Sequence, residues 1–206
     1  MYKEQNISAY SVFIVELNNL LVKAKKYKKD AITIKNNYVN CTPTFHLLSS
    51  IAFELFPKIL IGYRTCLKYK NKKITETELV DNIKKELKKF NHKIDNLYKK
   101  DSKLRKALDI DSISVFSNGN VWDYRVKIKN SKSMIFIKDV EAIRYGDFAS
   151  YSDNMTHCSG DHALIELLDK LEKYVESERT LMFGKILASR RARRKKIKWP
   201  ITSLKS

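Results

Sequence analysis

The most apolar stretch of the chain, residues 42 to 63, reads Thr-Pro-Thr-Phe-His-Leu-Leu-Ser-Ser-Ile-Ala-Phe-Glu-Leu-Phe-Pro-Lys-Ile-Leu-Ile-Gly-Tyr. Apolar residues recur there at spacings of three and four, which is the periodicity of an α-helix. Thr42 suits the N-cap, and Pro43 fits the first helical position, where a missing N–H costs nothing. A helix that is apolar almost all round must be covered by other elements, so we predict that it is central and that Gly62 lies near its end.

Three residues interrupt this apolar pattern. Glu54 and Lys58 are four residues apart, hence on one face of the helix, in the favourable order of acid before base. They form either a local ion pair or the floor of a site. Pro57 removes one helical hydrogen bond and crowds the carbonyl of Phe53, so we expect a kink at a cost of about 3 kcal/mol in an ideal helix.

The length and composition indicate one folded domain. With 206 residues, 43% of them hydrophobic, the chain can form one good core but not two large domains. No run approaches the ~18 apolar residues of a membrane span, and the first residues show no signal-peptide pattern, so we predict a cytoplasmic protein that does not enter a membrane. Three widely spaced cysteines indicate neither a disulfide framework nor a CxxC metal pair.

The charge is the strongest compositional feature. Lys and Arg number 41 against 23 Asp and Glu, a formal net charge of +18. From Arg179 onward there are ten basic residues and no acid, which leaves 31 basic and 23 acidic residues, or +8, in the rest of the chain. Nucleic acid or an anionic membrane is the natural partner of such a chain. The alternative for the body is that a Lys-rich proteome produces this charge without selection for binding.

Helices are predicted on both sides of the central one. Residues 7 to 27 carry one apolar stripe, and residues 30 to 41 are polar and form a connection. The lysines at the end of this first helix are interpreted as a solvated helix end or as an edge that tracks phosphates. Thr75 and Glu78 form a capping box for a helix through about Phe90, and a short helix follows over residues 91 to 100. The last long helix begins near residue 160 or 161.

Residues 110 to 138 differ in kind from the rest. Two β-leaning runs flank Ser117-Asn118-Gly119-Asn120, and residues 134 to 137 form a third apolar run. We predict a small hairpin-like or irregular insertion here. The predicted fold class is therefore mainly α, with one domain over residues 1 to 188, this insertion, and a basic tail of residues 189 to 206.

The basic tail is the first candidate site. Seven basic residues can neutralise several phosphates, and the adjacent Trp199 offers a stacking surface. The predicted nucleic-acid-binding residues are Arg190, Arg191, Arg193, Arg194, Lys195, Lys196, Lys198 and Trp199. The alternative is a disordered tail that only increases solubility.

Three segments resemble, in order, motifs of the HEPN superfamily of nucleotide-binding helical domains. Residues 52 to 60, with Glu54 and Lys58, resemble its AxExxxKxLL helix; residues 91 to 98, with His92, resemble its GHxLxxLF helix start; Arg144 and Tyr145 resemble its RYP-type segment. The resemblance covers roughly residues 7 to 185. It implies an antiparallel helical bundle that forms a homodimer, in a superfamily with many metal-independent ribonucleases of toxin-antitoxin, CRISPR and phage-defence systems.

The nuclease motif of that superfamily is absent. It consists of an arginine, four to six intervening residues and a histidine, whereas Ala149, Ser150 and Tyr151 occupy those positions after Arg144. We therefore predict a HEPN-like protein that binds RNA or other nucleic acid without this chemistry. The motif residues Glu54, Lys58, His92 and Tyr145 support the fold more than an activity.

Two alternative functions stay open. Arg144 with His157, His162 or His92 would make an atypical ribonuclease site, in which a histidine is the general base and the arginine holds the phosphate. If these residues do not form such a site, the histidines are exposed residues of a structural loop.

The second alternative is a regulatory module whose partner is a protein, such as an antitoxin or a nucleotidyltransferase. No cofactor is predicted, and no metal, because the spacing of His157, Cys158 and His162 matches no closed zinc site.

Overall fold

The computed structural model describes residues 9–37, 43–69, 75–89, 94–118, 121–129, 134–137 and 161–196. The elements of this part of the chain are, in order, α1 (Ala9–Asn37), α2 (Pro43–Tyr69), α3 (Glu76–Lys88), α4 (Ile94–Lys100), α5 (Ser102–Ala107), β1 (Ile110–Asn118), β2 (Val121–Ile128), β3 (Met134–Ile137) and α6 (Asp161–Lys196). The chain is thus mainly helical with a small antiparallel sheet, as predicted.

Helix α2 is the centre of the fold, as its apolar sequence predicts. It contacts α1, α3, α6 and β3. Its fully buried side chains include those of the following residues: Phe45, Phe53, Phe56, Ile59, Leu60 and Tyr63. The prediction that it ends near Gly62 is wrong, because the helix continues to Tyr69.

Gly62 does not end α2 but allows close packing between α2 and α1. A Cβ atom added to it would lie 2.5 Å from Cδ2 of Leu17, a distance that real Cβ atoms do not show. Leu17 is buried, at 3% exposure. The glycine therefore lets α1 approach the backbone of α2 closely, so its lack of a side chain serves the contact between two helices.

Helix α1 is longer than predicted. The polar connection predicted over residues 30 to 41 is wrong for residues 30–37, which are helical. Ala31 is buried at 1% exposure, and Ile34 packs against the core. One apolar stripe thus continues beneath the polar residues, and the lysines predicted to form a helix end lie in the middle of the helix.

Shorter elements complete the helical part. The capping box of α3 is confirmed: the Thr75 N–H donates to the Glu78 carboxylate at 2.8 Å, and the Glu78 N–H donates to the Thr75 hydroxyl at 3.2 Å. Tyr98 of α4 is buried and stacks on Phe53 with 4.9 Å between ring centroids. Helix α5 was not predicted; its N-cap is Asp101, whose carboxylate accepts from the Leu104 N–H at 3.0 Å.

The two β-leaning runs and the third apolar run form one sheet in the order β1-β2-β3. Asn118 pairs with Val121, so β1 and β2 form a hairpin with a two-residue connection. Ile113, Val126 and Ile135 are buried on one face of the sheet. Strand β3 contacts α6 and α2, so the insertion extends the helical core and does not hang free of it.

Helix α6 begins at Asp161, as predicted. One apolar stripe of this helix is buried, and it includes Leu164, Leu168, Leu171, Val175 and Met182. The helix runs without interruption to Lys196, which at 1.5 Å per residue is about 54 Å. The boundary between domain and tail that was predicted at residue 189 thus falls inside this helix.

Candidate nucleic-acid interface

The first half of α6 is held to α1 by ion pairs. Lys28 Nζ lies 2.6 Å from the Asp169 carboxylate and also pairs with Glu172. Lys25 pairs with Glu176 and lies 3.4 Å from Glu172. Two lysines of α1 thus engage three acidic side chains of α6.

Burial and ion pairing have opposite effects on the pKa values of these two lysines. Burial lowers the pKa of Lys28, but hydrogen bonds to Asp169 and Glu172 outweigh it, and the pKa is raised overall. For Lys25 the hydrogen bond to Glu176 is the largest effect, and its pKa is raised as well. Both lysines are therefore firmly charged at neutral pH and serve the fold, so they are not available to a ligand.

The two ends of this half are also paired. Lys35 Nζ lies 2.6 Å from the Asp161 carboxylate, and the His46 Nε2 lies 4.0 Å from it. Near the other end, the Arg179 Nε donates to the Asn18 side chain at 3.0 Å, which also accepts from the Tyr63 hydroxyl at 2.9 Å. Because Asn18 lies opposite Arg179 and Lys35 lies opposite Asp161, α1 and α6 are antiparallel.

Arg64 joins a second side of α6 to the body. Its guanidinium pairs with Asp101, donates to the Tyr174 hydroxyl at 2.9 Å and lies 3.4 Å from the Glu178 carboxylate. One arginine thus ties α2 to the N-cap of α5 and to α6. Glu178 is the last acid of the sequence, so no residue of α6 after it can supply a carboxylate to such pairs.

Residues 190–196, the last seven residues of α6, are rich in positive charge, and we call them the basic arm. Six of its seven residues are Arg or Lys. The register of Asn18 opposite Arg179 places Ala9, the first residue of α1, level with about residue 188 of α6. The arm therefore extends past the start of α1 by roughly 12 Å, at 1.5 Å per residue.

Three outward lysines of α1 add to the positive surface. Lys23, Lys26 and Lys29 are exposed, and none of them forms an ion pair within the described residues. The five lysines predicted to form a helix end therefore divide into two groups. Lys25 and Lys28 face the acids of α6, whereas these three face solvent, where a phosphate can reach them.

The predicted site residues have different outcomes. Glu54 and Lys58 form an ion pair, with 25% and 37% of their side chains exposed, so the interpretation as a local ion pair is confirmed. His162 is exposed in the first turn of α6. Arg190, Arg191, Arg193, Arg194, Lys195 and Lys196 lie in α6. The remaining predicted residues, His92, Arg144, Tyr145, His157, Lys198 and Trp199, lie outside the described residues.

The described part of the chain offers little to a metal or a covalent mechanism. Within it, no three His, Cys, Asp or Glu side chains cluster closely enough to hold a metal ion. Burial raises the pKa of the Cys66 thiol to about 12. A thiol that stays protonated at neutral pH is not a nucleophile.

Two features were missed by sequence reasoning. The cluster of Lys35, His46 and Asp161 joins three helices, and no local pattern marks a contact over such a separation. The pairing of Arg125 with Phe136, whose ring centroid lies 5.6 Å from the guanidinium carbon, was also missed. A signal for it exists, because alternation in β2 and β3 puts both residues on the face opposite the buried one.

One helix also passes a simple test for a membrane span. The stretch Thr44–Tyr69 is long and apolar enough, with a mean hydropathy of 1.4 over 18 residues. Of that window, 56% is buried inside the fold. Buried core helices share this length and hydropathy with membrane spans, and α2 is the central helix of this fold.

Comparisons with known proteins add no relative. No protein-family model, no curated protein and no solved structure matches the chain. A function is therefore inferred from the residues and geometry given above.

Proposed function

We propose that this chain is a HEPN-like protein that binds RNA or another nucleic acid through the basic arm and the outward lysines of α1. In this proposal it acts as a homodimer and lacks the Arg-to-His ribonuclease chemistry of the superfamily. Three ordered sequence motifs, a mainly helical fold and the ion pair of Glu54 with Lys58 support the HEPN-like assignment. Its context is then a prokaryotic toxin-antitoxin or phage-defence system.

One observation carries the nucleic-acid part of the proposal. The acids of α6 are concentrated in its first half, where Asp161, Asp169, Glu172 and Glu176 face cations of α1. The basic arm has no acid in or after it. No acid within the arm can pair with its cations, and a polyanion releases counterions when it binds such a cluster.

The helical form of the arm adds a second support. A helix holds its basic residues at fixed spacings, so less conformational entropy is lost on binding than for a flexible tail of the same composition. The arm is also continuous with a helix whose first half is anchored by Leu164, Leu168 and Leu171. A nucleic acid held by the arm is therefore attached rigidly to the body.

Salt-dependent binding tests the proposal. The full chain is titrated with end-labelled single-stranded RNA and with an RNA duplex in EDTA, at several salt concentrations. The test variant replaces Arg190, Arg191, Arg193 and Arg194 by Gln, a residue with similar helix propensity. We expect weaker binding and a flatter slope of log K against log salt, by about 0.7 to 0.9 for each phosphate that the variant no longer neutralises.

A matched variant controls for net charge. Lys84, Lys85 and Lys88 of α3 and Lys89 at its C-cap are exposed, and their replacement by Gln removes the same four charges from another surface. If both variants flatten the slope equally, the arm has no special role. An unchanged slope in the arginine variant also contradicts the proposal.

The same samples separate binding from cleavage. We expect the RNA to shift in mobility and to stay intact in EDTA. Cleavage by the parent that disappears on replacing His157 and His162 by Ala would instead establish an atypical metal-independent ribonuclease. RNA that is neither shifted nor cut, at any salt concentration, would favour the module with a protein partner.

A further inference from the structure

The outward face of the small sheet has a regular arrangement of side chains. In one row across the strands, Ser114 pairs with Arg125, which pairs with Phe136. In the next row, Ser112 pairs with Lys127, which pairs with Met134. Small hydroxyl residues thus lie on β1, cations on β2 and large apolar residues on β3.

The two apolar residues of this face are open to solvent. Phe136 is 46% exposed and Met134 is 40% exposed, whereas their neighbours Ile135 and Ile137 are each 1% exposed. The burial on the other face of β3 therefore explains the isoleucines but not the phenylalanine. Nothing in the helical core requires an aromatic side chain at position 136.

Cations lie beside this aromatic ring. The guanidinium carbon of Arg125 is 5.6 Å from the Phe136 ring centroid, a cation–π distance. Lys127 lies 3.8 Å from the Asp111 carboxylate, with 52% of each side chain exposed. An ion pair that is so exposed contributes little to stability and yields readily to a phosphate.

We propose that this face, which we call the sheet platform, binds single-stranded nucleic acid by stacking a base on Phe136, beside the Arg125 guanidinium, while Lys127 contacts a neighbouring phosphate. Ser112 and Ser114, on the far side of Arg125 and Lys127 from the aromatic ring, have small side chains that leave room for the rest of the nucleic-acid strand. This inference rests on the proposed function and adds the class of substrate. Only a single strand can present the face of a base to an aromatic side chain, because the bases of a duplex are stacked on one another.

The composition of the platform favours nucleic acid over a protein partner. Its apolar part is limited to two side chains, whereas a stable protein interface takes roughly 800 Å² from each partner. An exposed aromatic residue with a cation stacked beside it is the combination that single-stranded nucleic-acid surfaces use. The charge of Arg125 and Lys127 also suits a polyanion.

Three substitutions test the platform, with an unstructured single-stranded RNA of about 12 nucleotides and the matched duplex as probes. Phe136→Leu keeps an apolar side chain but removes the aromatic face, and we expect binding of the single strand to weaken about tenfold or more with an unchanged salt slope. Phe136→Trp should keep the affinity and add fluorescence that the RNA quenches. Val15→Ala, at an exposed apolar residue of α1 outside this face, should bind within about twofold of the parent, because it removes nothing on which a base could stack.

The outcomes distinguish this inference from the proposed function. If Phe136→Leu binds the single strand as tightly as the parent, the inference about the sheet platform is wrong, whereas the proposal that the basic arm binds nucleic acid is unaffected. A loss that is equal for single strand and duplex would overturn it as well. Parent protein that binds neither probe would contradict the proposed function itself. Urea unfolding of each variant, with an unchanged midpoint, shows that a loss of binding is not a loss of folding.

Discussion

The two halves of α6 differ in what their charges do. Residues 161–178 contain acids that pair with Lys25, Lys28, Lys35 and Arg64, and this half is buried along one stripe. Residues 179–196 contain no acid, and Lys185, the one basic residue beyond Arg179 whose side chain the structure describes, forms no ion pair within the described residues. One helix thus serves the fold at its start and presents charge at its end.

This difference shows that a net charge does not measure a binding surface. Of the five lysines between positions 23 and 29, Lys25 and Lys28 are committed to the first half of α6. Only the other three face solvent. The formal charge of +18 therefore counts lysines of α1 that are already paired within the fold. It also does not show that six basic residues are concentrated in the seven residues of the basic arm.

The largest expected difference concerns two leucines of α6. Leu171 is fully buried and Leu181 is 50% exposed. We expect Leu171→Ala to lower the free energy of unfolding by about 2–5 kcal/mol, because it removes core packing and leaves a cavity. Leu181→Ala should change it by about 0.5 kcal/mol or less. Urea unfolding followed by circular dichroism measures both, and equal effects would contradict the division of the helix.

Replacing two glycines by alanine should change the stability by smaller amounts, with a loss at one glycine and a gain at the other. Gly62→Ala places a Cβ atom against buried Leu17, so we expect a loss of about 1–3 kcal/mol from overpacking. Gly184 of α6 has open space around its Cα, with nothing within 4 Å of an added Cβ. Gly184→Ala should therefore gain about 0.5–1 kcal/mol, since alanine favours the helix. Thermal melting of both variants shows whether the signs differ.

The smallest expected effect is a pH dependence of the protein's stability that arises from Glu176, in the first half of α6. Burial raises the pKa of Glu176, but hydrogen bonds from Lys25 and Arg179 outweigh it, and the pKa lies below the ordinary 4.5. A carboxylate with a lowered pKa stabilises the fold above pH 4.5, and this stability is lost as the pH falls through its folded pKa.

Glu176→Gln should therefore be less stable than the parent at pH 7, with the two converging as the pH falls below 4.5. Denaturant midpoints measured from about pH 7 to pH 3 test this. Glu166→Gln is the control, because Glu166 is exposed and forms no ion pair within the described residues. A constant difference between Glu176→Gln and the parent at every pH would refute the assignment.

Local sequence patterns predicted the elements better than their lengths. Thr75 and Glu78 marked the start of α3 correctly, because a capping box involves only residues three apart. Gly62 misled the prediction for α2, because the same residue type ends helices and lets helices pack closely. Residues 30–37 look polar in sequence, and their helix is held by Ala31 and by the pair of Lys35 with Asp161, which are 126 residues apart.

The candidate sites divide in the same way. The basic arm could be predicted directly from the sequence, since a run of Arg and Lys needs no partner to be noticed. Its helical form, its position past the start of α1 and the sheet platform could not be predicted. Arg125 and Phe136 become neighbours only when β2 and β3 pair in a given register, which tertiary packing selects.

The mainly helical class, the central place of α2, the small sheet and the excess of positive charge all follow from the sequence, because hydrophobic periodicity and composition act locally. Which lysines stabilise the fold and which face solvent follows only from tertiary packing. Charges on separate helices are matched only when packing brings them within a few ångströms. In this chain packing brings the acids of α6 to Lys25 and Lys28, and the sequence of the basic arm contains no acid.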